Sequence, residues 1–269
     1  MNQISNTAIM RDGAKITYNL YEGKGKTRFV LVHSLAMDGN FWLPVIEHLK
    51  HAGDVLVYDC RGHGSSDKSV GPYTCEGFAD DLADLLEHVG WASAVVAGAS
   101  MGGCVSIAFA GRYPNMLDGL GLIDTTAWYG PDAPLQWEDR AQKALAGGLS
   151  ALVNFQKTRW VSEKFLQQNP SVVDAAIKVF LANNVQAYAE TCRMLGNFDG
   201  RDVLPSIVVP VTVLVGEEDY AAPVSMAEAM HHNIQNSTLH ILKGVRHLTP
   251  LECPEIIAAR LIDVTTKQL

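Results

Sequence analysis

A serine flanked by glycines follows a buried apolar run near the middle of the chain. The stretch Gly98-Ala99-Ser100-Met101-Gly102 has the pattern Gly-x-Ser-x-Gly and directly follows the run Ala94–Ala97. Between a strand and a helix, this pattern places a serine hydroxyl on a strained turn, and the small flanking residues avoid collisions with neighbouring elements. The N-terminus of the following helix also favours an anion there. The sequence therefore predicts a nucleophilic Ser100, with a simple helix N-cap as the alternative.

A serine nucleophile needs a base, and the base needs an acid that orients it. Among nine histidines, His247 lies in a loop after the last predicted strand, and Asp219 follows the buried run Val208–Val215. The order serine, aspartate, histidine along the chain is the one expected with this serine turn. We predict the triad Ser100, Asp219 and His247. Asp124, at the end of the preceding strand, is the rival acid.

The tetrahedral oxyanion of acyl transfer needs two N–H donors. One is predicted to be the backbone N–H of Met101, directly after the serine, and the other that of Leu35, in the loop after the first central strand. His33 precedes Leu35 in this loop, and we interpret it as a hydrogen-bonded anchor of the loop.

The elements that position these residues are predicted from apolar runs. A β-hairpin is expected over Thr7–Tyr21, with Asp12-Gly13 at its turn. Continuous apolar runs are typical of strands buried on both faces, and they occur at Phe29–Val32, Val55–Tyr58, Ala94–Ala97, Leu117–Ile123, Val208–Val215 and Thr238–Leu242. Helical patterns lie between several of them, among them Cys75–Val89 and Gly102–Tyr113. This alternation predicts an α/β fold with a mostly parallel sheet flanked by helices.

Residues 125–205 contain no strand-like run but several aromatic residues and amphipathic helical segments, such as Ser171–Phe180. We predict a helical cap over 125–205, inserted into a core formed by residues 1–124 and 206–269. Trp137, Arg140 and Trp160 are the predicted substrate-binding residues, with core packing as the alternative for the tryptophans. The cap cations that are candidates for binding a substrate carboxylate, or else solvated charges on helix surfaces, are Arg140, Lys157, Arg159 and Arg193.

Composition excludes several classes of partner. The net charge is −8, from 21 basic and 29 acidic residues, and no block of lysine and arginine stands out, so nucleic acid and anionic membranes are not expected partners. No apolar run is long enough for a membrane span, and the first residues lack the pattern of a signal peptide. Five scattered cysteines without a CxxC pair indicate reduced thiols in a cytoplasmic protein. We expect no metal and no cofactor, and leave a homo-oligomer open.

Four blocks resemble the α/β-hydrolase superfamily over essentially the whole chain. They are His33-Ser34-Leu35, Asp59–Asp67, Gly98–Gly103, and Gly216–Pro223 together with His247–Pro254. The resemblance implies an α/β-hydrolase fold with a helical cap. It also implies hydrolysis of a small carboxylic ester or lactone through an acyl-serine intermediate.

Within the superfamily, the cap resembles that of 3-oxoadipate enol-lactonases, which implies a role in aromatic catabolism. The stretches that carry this resemblance are Asp124–Pro131, Trp137–Arg140, Ala146–Leu149, Arg159-Trp160 with Phe165, and Tyr188 with Cys192. The chain departs from those enzymes at His33 and Ala36, where an Asn-Ser-Leu-Gly loop is usual. Three alternatives therefore stay open: a C–C bond hydrolase of ring-cleavage products, a cofactor-free perhydrolase or haloperoxidase, and a non-catalytic ligand-binding receptor.

Overall fold

A single eight-stranded sheet forms the centre of the protein in the computed structural model, which describes residues 6–266. The strands are β1 (Asn6–Ile9), β2 (Lys15–Tyr21), β3 (Thr27–Val32), β4 (Gly53–Tyr58), β5 (Ala94–Ala99), β6 (Leu117–Ile123), β7 (Val211–Gly216) and β8 (Ser237–Leu242). Their order across the sheet is β1-β2-β4-β3-β5-β6-β7-β8. Only the β1–β2 and β2–β4 pairs are antiparallel among the described strands. The predicted α/β fold with a mostly parallel sheet is confirmed.

Eleven α-helices accompany the strands in residues 6–266. They are α1 (Leu43–Leu49), α2 (Cys75–His88), α3 (Met101–Arg112), α4 (Ala133–Gly147), α5 (Val153–Trp160), α6 (Glu163–Gln168), α7 (Pro170–Ala182), α8 (Val185–Asn197), α9 (Val224–Asn233), α10 (Thr249–Glu252) and α11 (Pro254–Thr266). Helix α2 packs on α3, and α1 packs on α11, so that helices flank the sheet. Every residue of β5 and β7 is buried, which explains their continuous apolar sequences.

Two strand predictions differ from the structure in detail. The run Val208–Val215 was expected to be one strand, but β7 begins at Val211 because Pro210 has no N–H for the ladder, and Val208 is 80% exposed. β8 lies at the sheet edge and is only half-buried. In the predicted β1–β2 hairpin, Gly13 takes the positive φ, at 89°, in the turn that is closed by the hydrogen bond from the Met10 N–H to the Ala14 carbonyl.

Residues between β6 and β7 form five helices, α4 to α8, which we call the cap helices. The chain enters and leaves this segment side by side, because Trp128 and Asp199 form an antiparallel bridge and the Gly200 N–H donates to the Ala127 carbonyl at 2.8 Å. Helix α4 packs closely on α8, since a side chain at Gly196 would meet the Trp137 Cβ at 2.9 Å.

Two features of residues 6–266 concern membrane-spanning helices and the state of the cysteines. No helix within 6–266 combines the length and the apolar character needed to cross a membrane. All five cysteines are free thiols, four of them buried.

Candidate active site

Ser100 occupies a strained turn between β5 and α3. Its φ and ψ are 53° and −115°, a region that L-residues rarely adopt. Flanking hydrogen bonds hold the turn, since the Ser100 N–H donates to the Ile123 carbonyl at 2.9 Å and the Thr125 hydroxyl donates to the Ser100 carbonyl at 2.7 Å. A Cβ at Gly98 would collide with the Gly102 carbonyl, and one at Gly102 with the Val32 carbonyl. The glycines therefore allow the backbone approach that presents the hydroxyl.

Ser100, His247 and Asp219 form one hydrogen-bonded chain. His247 Nε2 lies 2.9 Å from Ser100 Oγ, and His247 Nδ1 lies 2.8 Å from Asp219 Oδ2. The N–H groups of Ala221 and Ala222 donate to the other carboxylate oxygen, Oδ1, at 2.8 and 2.9 Å. With Nδ1–H donating to Asp219, Nε2 is left to accept the serine proton. All three side chains are nearly buried, which strengthens these interactions.

Asp124, the rival acid, lies close by but has other partners. Its carboxylate accepts the Thr249 N–H at 2.9 Å, the Thr249 hydroxyl at 2.7 Å and the Gly216 N–H at 3.3 Å. Burial, and then the charge of Asp219, raise the pKa of Asp124 well above its usual value, against the lowering effect of the Thr249 hydrogen bonds. Asp124 thus braces the strand and the loop that carry Asp219 and His247, and His247 Nδ1 is bonded to Asp219.

The two predicted oxyanion donors are residues that adjoin Ser100 in the chain or share its cavity. Met101 is the first residue of α3, where N–H groups lack intrahelical acceptors, and its side chain is fully buried. Leu35 lines the same cavity as Ser100. His33 anchors the Leu35 loop: its Nε2 accepts the Cys60 N–H at 2.9 Å, so its Nδ1–H donates to the Ser34 carbonyl at 2.8 Å.

Ser100 and His247 line a cavity of about 590 Å³ between the carboxyl ends of the strands and the cap helices. All three predicted substrate-binding residues, Trp137, Arg140 and Trp160, line it. The Arg140 guanidinium lies 4.9 Å from the centre of the Trp137 ring, and its Nε–H donates to the Tyr188 hydroxyl at 2.7 Å. Within residues 6–266, no carboxylate forms an ion pair with Arg140.

The other predicted cations divide into two groups. Arg159 lines the cavity mouth, where it lies over the Phe155 ring at 4.2 Å and donates to the Tyr220 carbonyl at 3.4 Å. Arg193 forms ion pairs with two glutamates of the cap helices, and neither it nor Lys157 is among the residues that line the cavity.

Sequence reasoning missed several cavity residues. Tyr129 and Tyr220 come after the carboxyl ends of β6 and β7, and Tyr220 directly follows Asp219, so their position along the chain was a usable signal. Burial raises the pKa of Tyr129 well above its usual value, so its hydroxyl keeps its proton. Phe155 and Gln156 also line the cavity, but nothing in their local sequence distinguishes them.

Comparisons with known proteins agree with this fold. A family model described as the alpha/beta hydrolase fold matches residues 27–254. The chain is 28% identical to 3-oxoadipate enol-lactonase 2 of Acinetobacter baylyi over 240 residues, 89% of each chain. The enol-lactonase of Burkholderia xenovorans superposes with a TM-score of 0.92 at 29% identity, covering 97% of this chain and 100% of the other.

A thermophilic esterase from Thermogutta terrifontis, solved with malate bound, has a TM-score of 0.89 at 29% identity and covers 99% of both chains. The predicted resemblance to 3-oxoadipate enol-lactonases is confirmed.

Proposed function

Since the chain belongs to the alpha/beta hydrolase fold family and is a hydrolase, we propose that it cleaves a small carboxylic ester or lactone. The proposed substrate carries a free carboxylate, as the substrates of 3-oxoadipate enol-lactonases do. The observation that carries the proposal is the chain Ser100–His247–Asp219, joined at 2.9 and 2.8 Å and open to the cavity.

In the proposed mechanism, Ser100 Oγ attacks the substrate carbonyl while His247 Nε2 takes the serine proton. Asp219 stabilises the imidazolium that forms, and the N–H groups of Ala221 and Ala222 stabilise the Asp219 carboxylate by hydrogen bonds. The N–H groups of Leu35 and Met101 bind the tetrahedral oxyanion. His247 then gives the proton to the leaving alkoxide, and water cleaves the acyl-serine by the same steps in reverse. For a lactone the alcohol stays attached to the acyl group, so both ends of the product remain in the cavity.

The charge of the cavity supports an anionic substrate. Arg140 and Arg159 both line it, and neither forms an ion pair with a carboxylate of residues 6–266. The third lining cation, Lys143, is paired with Asp139 at 2.6 Å. A guanidinium presents a fork of donors that matches a carboxylate, and the aromatic rings around Arg140 limit its freedom. The bound malate of the Thermogutta terrifontis esterase is an organic acid in a similar fold.

A paired comparison tests both parts of the proposal. Ser100→Ala should abolish turnover of 4-nitrophenyl acetate, of mono-4-nitrophenyl succinate and of the enol-lactone. Arg140→Met should raise KM for the two anionic substrates by about tenfold or more, because a hydrogen bond to a charged group contributes about 1.5–3 kcal/mol. It should change turnover of the neutral acetate little. Lys157→Met, whose side chain does not line the cavity, is the matched control.

The outcomes separate the remaining alternatives. Turnover by Ser100→Ala would refute the acyl-serine route, and equal losses on neutral and anionic esters in Arg140→Met would refute carboxylate binding. Cleavage of ring-cleavage products in preference to all esters would identify a C–C bond hydrolase, and peroxide-dependent halogenation a haloperoxidase. Tight binding without product release would identify a receptor.

A further inference from the structure

The cap is joined to the loop that carries the predicted base. We define the histidine loop as residues 244–252, which include the short helix α10, and the cap edge as residues 158–162, at the end of α5 and directly after it. Two histidine-loop N–H groups donate to cap-edge carbonyls: Leu248 to Trp160 at 2.7 Å, and His247 itself to Arg159 at 3.4 Å. The backbone position of His247 therefore depends partly on the cap edge.

The carboxylate of Glu252 also connects the histidine loop to the cap edge, and we call this contact region the junction. Glu252 Oε1 accepts the backbone N–H of Arg246 at 3.0 Å and that of Ser162, also at 3.0 Å. Glu252 Oε2 accepts the Ser162 hydroxyl at 2.6 Å. A single side chain thus binds the residue before His247 in the histidine loop and a residue of the cap edge. Hydrogen bonds from N–H and O–H groups to an ionised carboxylate are the stronger kind.

The Arg246 side chain adds a further bond between the same segments. Its Nη1 donates to the Thr158 carbonyl at 2.9 Å and lies 3.3 Å from the Val161 carbonyl. On the sheet side, Asp124 holds Thr249 of the same loop. The loop that carries His247 is therefore held by hydrogen bonds to Asp124 on the sheet side and to the cap edge on the other side.

We infer that Glu252 is a positioning residue, which keeps His247 aligned on Ser100 by joining the histidine loop to the cap edge. A base transfers a proton efficiently only within hydrogen-bond reach of its partner, and a displacement of about 1 Å costs on the order of 10²-fold in rate. His247 Nε2 is at 2.9 Å from Ser100 Oγ with these bonds in place. The inference rests on the proposed roles of Ser100 and His247.

The test compares three variants with the wild-type protein. Glu252→Ala removes both carboxylate oxygens, which accept the bonds from Arg246 and Ser162. Glu252→Gln keeps one oxygen for the two N–H donors, and its amide can donate to the Ser162 hydroxyl. Glu255→Ala is the matched control, because Glu255 is an exposed acid three residues further along, at the start of α11.

The first readout is the reaction of Ser100 with diisopropyl fluorophosphate, a small neutral reagent that needs the activated serine but not the carboxylate-binding part of the cavity. We expect the second-order rate constant and kcat to fall together by about ten- to a hundredfold in Glu252→Ala. Glu252→Gln should recover most of the rate, and Glu255→Ala should react like the wild type. Unchanged reactivity of Glu252→Ala would overturn the inference.

The second readout is amide hydrogen exchange, which does not depend on catalysis. Exchange in Glu252→Ala should accelerate in the peptides covering 158–162 and 246–252 together, and remain unchanged in β3 and β5. Acceleration in the histidine loop alone would overturn the coupling to the cap. If Glu252→Ala fails to fold, Ser162→Ala, which removes one of the three donors, should show a smaller effect in the same two peptides. A wild-type protein that does not react at Ser100 would refute the proposed function, while the exchange result would still decide the coupling.

Discussion

His63 makes the stability of the protein sensitive to mild acid. Its ring is 1% exposed, its Nδ1–H donates to the Arg61 carbonyl at 3.0 Å, and it packs edge-on against the His33 ring with centroids 5.0 Å apart. Burial, and then the proximity of His33, lower the pKa of His63 from 6.5 to about 3. The folded protein therefore keeps this imidazole neutral at pH values where the unfolded chain protonates it.

The magnitude follows from linkage between proton binding and unfolding. Below pH 6.5 the unfolded chain binds a proton at His63, whereas the folded protein binds one only near pH 3, so stability falls as the pH decreases through this window. Each pH unit within the window contributes about 1.36 kcal/mol. Lowering the pH from 7.5 to 5.0 should therefore remove about 2 kcal/mol of unfolding free energy through His63 alone. Burial also lowers the pKa of His33, which adds to the loss with the same sign.

Urea unfolding at pH 7.5 and 5.0 measures this difference. His63→Asn keeps a side-chain N–H donor for the Arg61 carbonyl but has no titrating ring, so its loss of stability between the two pH values should be about 2 kcal/mol smaller than that of the wild type. His51→Asn, at an exposed position, is the control and should behave like the wild type. The same loss in His63→Asn as in the wild type would refute the reasoning.

Four further variants probe the predicted site and the loop beside it. Asp219→Asn should lower kcat by about 10⁴-fold in steady-state assays, because an amide no longer holds the correct His247 tautomer, while Asp124→Asn should keep most of the activity; a larger loss in Asp124→Asn would assign the acid to Asp124 instead. Asn183→Ala should lower kcat several-fold at similar KM, because the Asn183 amide donates to the Ala36 carbonyl at 2.8 Å in the loop that carries an oxyanion donor; unchanged kcat would contradict this. Ala36→Gly should raise the unfolding free energy in urea by up to about 1.5 kcal/mol, since a φ of 59° strains an L-residue by about 1–2 kcal/mol and glycine gives back about 0.5–1 kcal/mol through chain entropy; a lower unfolding free energy than in the wild type would contradict it.

The residues of the predicted triad could be picked out from the sequence because each lies in the turn or loop that follows a strand. In a parallel sheet the carboxyl ends of neighbouring strands lie at one edge, so Ser100 after β5 and Asp219 after β7 are brought near His247, which follows β8. Apolar runs located these strands, and short local patterns located the residues after them. No long-range packing information was needed.

The cavity wall could be predicted only in part, because tertiary packing selects which side of a cap helix faces the substrate. Phe155 and Gln156 have no periodic signal, and the pairing of Arg193 with Glu138 depends on how α4 and α8 pack together. Likewise, the positive φ of Ala36 could not be foreseen, since alanine rarely adopts it. The composition of these segments was informative, but the sequence did not show how they are oriented.

The residues proposed for the chemistry and those proposed for substrate recognition lie on different elements of this fold. The triad lies on loops at the sheet edge, whereas Arg140 lies on α4 and is held by Tyr188 of α8. Substitutions in α4 should therefore alter KM and substrate preference while the Ser100–His247 distance stays unchanged. The cap edge is different, because its carbonyls accept hydrogen bonds from the histidine loop itself. Changes in residues 158–162 should consequently alter both KM and kcat. Comparing the change in kcat with the change in KM therefore shows whether a substitution acts at the cap edge or elsewhere in the cap.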